Sequence, residues 1–128
     1  MTIEIHWESS RLLCLKYSGT IQGDEVLAAQ RSLTNDERFY NIREYLIDGS
    51  ALTKSFVSDT DIEKISAITI AQSKTNPDVK NALVLSQNLD EDDHTLGAYY
   101  QFLADATGWE IELFKTVSEA RNWLGCER

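Results

Sequence analysis

The densest set of side chains able to do chemistry is Asp90, Glu91, Asp92, Asp93 and His94, four carboxylates followed by an imidazole. Oxygen-rich groups of this kind can hold magnesium or calcium, and a histidine beside them can add a ligand or a proton relay. Asp92, Asp93 and His94 would then support metal-assisted hydrolysis. Their adjacency works against it. Consecutive helical side chains point about 100° apart, so neighbours cannot converge on one ion unaided, and the spacing is not that of a calcium loop. A solvated acidic helix N-terminus, favoured by the macrodipole, accounts for the run, and no metal site is expected.

The remaining candidates for chemistry are sparse. His6 and His94 are the only histidines, and neither has a serine or cysteine nearby in a nucleophile setting, so no catalytic residue is expected. Gly19 and Gly23 lack the lysine of a P-loop and the spacing of a dinucleotide fingerprint, so no cofactor is expected either. Cys14 and Cys126 are the only cysteines and have no ligand-spaced partners, which fits a reduced, cytoplasmic setting. Gly97 interrupts a helical pattern at a cost of about 1 kcal/mol relative to alanine. It either lets the helix pack closely on a sheet or, with Tyr99, Tyr100 and Phe102, leaves room for an apolar ligand. Trp7, Trp109 and Trp123 are expected at the core or its rim, with Trp109, just after Gly108, the most exposed.

Composition narrows the function classes. The chain has 128 residues, 42% hydrophobic and 26% charged, which suits one soluble domain. Twelve basic residues against twenty-one acidic ones give a net charge of -9, and the basic residues are scattered, so nucleic acid and anionic membrane surfaces are disfavoured. No apolar run approaches the length of a membrane span, and no basic segment followed by a long apolar one opens the chain. Lys80 and Lys115 bracket a stretch whose charges, apart from His94, are all acidic. One side should therefore be strongly negative, serving either solubility or a basic protein partner.

Hydrophobic rhythm supplies the elements that must carry these groups. Ile3, Ile5 and Trp7 alternate with polar residues in a first strand, and Arg11 to Tyr17 returns as its hairpin partner, ended by Ser18 and Gly19. Val26, Ala29, Gln30 and Leu33 mark a helix from Asp24 to about Asn35. Tyr45, Leu46 and Ile47 form a strand buried on both faces, closed by a turn at Asp48, Gly49 and Ser50. Ser58 caps a helix with acids at Asp59 and Asp61 and a stripe of Ile62, Ile65 and Ile68. A strand from Val79 to Ser86 follows, then a helix from about Asp90 to Thr107 stopped by Gly108. Ile111 to Phe114 is the last strand, and Val117 to Leu124 a terminal helix ended by Gly125. The order is β-β-α-β-α-β-α-β-α, an α/β fold with an antiparallel hairpin and mainly parallel later strands.

That order, with the phrases LLCLKYSG at Leu12 to Gly19, YLIDGS at Tyr45 to Ser50 and LFKTVSEARNWL at Leu113 to Leu124, resembles the SpoIIAA-like branch of the STAS family. These are anti-sigma-factor-antagonist-like domains, sometimes grouped with CRAL-TRIO lipid-transfer domains. The resemblance implies a five-stranded mixed sheet with about four helices. It also implies a non-enzymatic bacterial regulatory or protein-interaction module. The family's phosphorylatable serine lies in a DSSG-like motif at a helix start. Here Phe56, Val57, Ser58, Asp59 and Thr60 stand there, with Ser58 at the comparable position and the adjacent serine and the glycine missing. An ordinary N-cap accounts for that serine.

The expected partner surface is therefore Ser58, Asp59, Thr60 and Asp61 together with Asp90, Asp92, Asp93 and His94. The expected partner is a protein, basic in character; a second copy of the chain, as a homo-oligomer, is another candidate. The alternative is a carrier or sensor of a small apolar or lipid-like ligand, with Gly97, Tyr99, Tyr100 and Phe102 at its pocket.

Overall fold

The computed structural model describes residues 2–125; Cys126 lies outside the described residues. Five strands, β1 (Ile3–Trp7), β2 (Leu12–Gln22), β3 (Glu44–Phe56), β4 (Lys80–Val84) and β5 (Glu110–Phe114), form one sheet in the order β1-β2-β3-β4-β5. β1 runs antiparallel to β2, from Ile3 opposite Tyr17 to Trp7 opposite Leu13, and the other pairs are parallel. Four helices, α1 (Gly23–Thr34), α2 (Asp59–Thr75), α3 (Glu91–Leu103) and α4 (Val117–Leu124), connect or follow the parallel strands. The α/β class, the mixed sheet and the element order are those expected from the sequence.

The strand order dictates where the helices go. Each parallel crossover is right-handed by strong preference, and every new strand is added on the same side of the last. Three successive crossovers therefore stack α1, α2 and α3 on one face. Leu13, Leu15 and Tyr45 of the sheet pack there against Val26 and Leu33 of α1, Ile65 of α2 and Tyr100 of α3. α4 crosses to the other face, where Ala120 and Leu124 meet Leu12, Cys14, Leu46, Ala82 and Val84. Tyr45 and Leu46 are 1% and 0% exposed on opposite faces, as a strand buried on both sides requires. Among the described residues, no helix is long and apolar enough to cross a membrane.

Two strands outrun their sequence boundaries. Serine and glycine at 18 and 19 do not end β2, nor does Asp48-Gly49-Ser50 end β3. The two strands stay paired to Gln22 opposite Phe56, with register shifts between Lys16 and Ser18 and between Gly19 and Thr20. Gly19 adopts φ +67°, the left-handed backbone that lets a ladder slip without breaking. Gly49 serves close approach rather than a turn, because a Cβ there would stand 2.8 Å from the Val84 carbonyl oxygen. Shorter adjustments occur in β4, which ends at Val84, and in α3, which tightens into a 3-10 turn over Ala104–Thr107 before Gly108 at φ +81°.

Trp109 corrects an expectation. Its position after a turn predicts exposure, yet it is only 5% exposed. Its indole Nε1 donates to the Asn76 carbonyl oxygen at 2.7 Å. The ring packs edge-on to Tyr45 and tilted against Phe39, at 6.3 Å and 6.2 Å between centroids. Asn76 is itself a buried clasp: its Nδ2 donates to the carbonyls of Phe39 and Ile42. Trp7 and Trp123 lie at the rim, each under a cation, Arg38 and Lys80 respectively.

Candidate functional site

Helices that follow parallel strands begin at the carboxyl end of the sheet, so α1, α2 and α3 all open at the same end. Each carries acids in its first turn: Asp24 and Glu25 in α1, Asp59 and Asp61 in α2, and Glu91, Asp92 and Asp93 in α3. The two segments expected to recognise a partner, Ser58 to Asp61 and Asp90 to His94, are thereby brought to one end of the fold. α1 and α2 touch there, since a Cβ on Gly23 would fall 2.0 Å from Asp61 Oδ2.

The individual roles are local and satisfied. Ser58 is an N-cap: its hydroxyl accepts from Asp61 N at 3.1 Å, and Asp61 Oδ2 accepts from Ser58 N at 2.9 Å. Thr60 is exposed on the same turn. Asp90 caps α3 by accepting from Asp93 N at 3.0 Å. His94 Nε2 lies 2.6 Å from the Ser86 carbonyl oxygen, which can only accept, so that nitrogen carries the proton and ties the preceding loop to α3. No group of three or more His, Cys, Asp or Glu among the described residues converges as a metal set. Asp92, Asp93 and His94 thus offer no geometry for metal-assisted hydrolysis.

Between these helix starts lies an apolar cavity of about 130 Å³. Ile47 and Leu83 of the sheet and Val26, Ile62 and Leu96 of the three helices line it. It sits at the carboxyl ends of β3 and β4, where α/β sheets commonly take ligands. Gly97 lines it too, and its Cβ would meet Leu85 Cδ2 at 3.0 Å, so the glycine both brings α3 close to the chain after β4 and keeps the space open.

The aromatic candidates divide. Tyr100 lines the cavity, 4% exposed, with its hydroxyl donating to Asn81 Oδ1 and lying 3.0 Å from Thr69 Oγ1. Burial pushes that phenol up to about 12. Tyr99 and Phe102 do not line it. The Tyr99 hydroxyl instead donates to Glu63 across the exposed α2–α3 seam, and Phe102 is 75% exposed. A helix turns by about 100° per residue, so neighbours of Tyr100 at these positions face elsewhere.

Sequence reasoning did not single out Gln30 as a site residue. It is 2% exposed, part of the cavity wall, and its Nε2 donates to the Tyr45 hydroxyl at 2.9 Å. Its Oε1 has no hydrogen-bond partner. A buried amide oxygen left unpaired costs about 1–3 kcal/mol. The signal was present: a glutamine on the apolar stripe of α1. Among the described residues, Asp93 is the one charged residue lining the cavity. Burial first, then the neighbouring Asp90 and Asp92, raise its carboxyl above the usual aspartate range.

Compared with known proteins, the chain matches no family model and no curated protein.

Proposed function

We propose that this chain is a non-enzymatic binding module that holds a small, mainly apolar molecule between its sheet and α1–α3. The observation that carries this reading is the apolar cavity at the carboxyl ends of β3 and β4, lined by the sheet and by all three helices α1–α3. A dry cavity of about 150 Å³ takes up one benzene ring, so the space suits a single ring or a short branched chain. A long lipid tail would not fit wholly inside this volume, which favours a sensor of small ligands over a lipid carrier. The STAS-like and SpoIIAA-like resemblance of the three sequence phrases supports a regulatory role in bacteria. Among the described residues the buried Cys14 thiol is free, in keeping with a reduced setting.

Benzyl alcohol tests the reading. At ten times its dissociation constant it should stabilise the fold by about 1.4 kcal/mol and raise Tm by about 5 °C. A Tm that does not rise across the soluble range of the probe would remove the basis for ligand binding.

A second reading has its own observation, the meeting of three acidic helix starts at one end. That end suits a basic protein partner by its charge, and the family resemblance implies a protein-interaction module. For a partner purified from the source cell, the association rate should fall by about tenfold between low and high salt while dissociation changes little. A salt-independent association rate would contradict recognition through this end.

A further inference from the structure

We infer that the molecule taken up by this cavity is a small apolar amine, with its hydrocarbon part inside and its ammonium at Asp93. The inference rests on the binding reading above and names the ligand class. Among the described residues, Asp93 is the only carboxylate on the cavity wall, and no lysine, arginine or histidine lines the space. The ion pairs among the described residues are His6–Glu4, Arg11–Glu44, Arg38–Asp36 and Arg121–Glu8. None of them supplies a cation to Asp90, Glu91, Asp92 or Asp93.

The surroundings reinforce the sign of the charge. The first turns of α1 and α2 bring Asp24, Glu25, Asp59 and Asp61 to the same end of the sheet. Their summed field draws cations to that end and repels a carboxylate or phosphate headgroup. The α3 macrodipole favours anions, but four acids already occupy its cap and first turn. An ammonium against a half-buried carboxylate gains a charge-assisted hydrogen bond and relieves repulsion from Asp90 and Asp92. The upward shift of the Asp93 carboxyl is in keeping with an acid that lacks a cation.

Three probes sharing one ring separate the possibilities: benzylamine, benzyl alcohol and benzoate, each titrated against the intact chain at neutral pH by calorimetry. Benzylamine should bind about tenfold more tightly than benzyl alcohol, and benzoate more weakly than either. Asp93→Asn should bring the amine and the alcohol within about twofold of each other, whereas Asp92→Asn, at an exposed neighbour outside the cavity lining, should keep the preference. Alcohol binding as tightly as the amine would overturn the amine assignment while leaving the binding reading intact. A preference that survives Asp93→Asn, or that vanishes equally with Asp92→Asn, would overturn the role of Asp93. Failure of all three probes to bind would overturn both the reading and the inference built on it.

Discussion

Raising the pH from about 9 to about 12 should unfold this protein at a steepening rate, because four of its acidic groups are buried in their neutral forms. Burial pushes the Cys14 thiol up to about 12. It also pushes Tyr100 up to about 12 and raises Tyr17 and Tyr45 well above the ordinary phenol range. All four therefore release their protons later in the folded state than in the unfolded chain. Stability from keeping them neutral is complete below about pH 9 and is lost as the pH climbs, since the unfolded state then binds fewer protons. Each group costs about 1.4 kcal/mol per pH unit once its unfolded counterpart is ionised, so the three tyrosines together cost about 4 kcal/mol per unit above about pH 11. A total stability of about 5–15 kcal/mol cannot withstand that slope for long. Urea midpoints should be flat from about pH 7 to 9 and fall sharply by about pH 11, with tyrosinate absorbance from these three residues appearing only on unfolding. A midpoint unchanged at about pH 11 would contradict the buried placement of these phenols.

Replacing Trp109 should have the largest effect of any single tryptophan substitution. Trp109→Ala removes a ring packed on Phe39 and Tyr45 and leaves the Asn76 carbonyl without its donor, so a loss of about 3–5 kcal/mol is expected. Trp109→Phe keeps most of the packing and loses the hydrogen bond, at about 1–3 kcal/mol. Denaturant unfolding of both variants checks the pair. If Trp109→Ala costs less than about 0.5 kcal/mol, the residue behaves as the exposed side chain its sequence position suggested.

That difference shows where sequence rhythm stops being informative. Element order was legible because burial repeats locally: alternation in β1, the Tyr45-Leu46-Ile47 run in β3, and the three- and four-residue spacing of α1 and α2 each need only their own segment. The cap of α2 was legible for the same reason, since Ser58 and Asp61 satisfy each other within one turn. Trp109 was not, because its burial is decided by Phe39, Tyr45 and Asn76, all far away in the chain. The continuation of β2 and β3 past their glycines depends likewise on strand pairing rather than on either segment.

The candidate site was half legible. Gly97 and Tyr100 point to the cavity through an unusual helical glycine beside aromatics, and Asp93 falls within the acidic run. Tyr99 and Phe102 share that local signal but face away, since only the packing of α3 on the sheet chooses which neighbour is buried. Gln30 contributes from α1, a wall of the cavity that no local pattern near Gly97 could indicate.

Filling the cavity from Gly97 tests the binding claim most directly. Gly97→Leu adds side-chain volume within the space lined by Leu83 and Leu96 and requires Leu85, whose Cδ2 would stand 3.0 Å from the new Cβ, to give way, so far-ultraviolet circular dichroism is used first to select variant protein that has folded. Its affinity for benzyl alcohol should fall by at least about tenfold relative to the parent protein. A folded Gly97→Leu variant that binds benzyl alcohol as tightly as the parent would show that the molecule is held elsewhere.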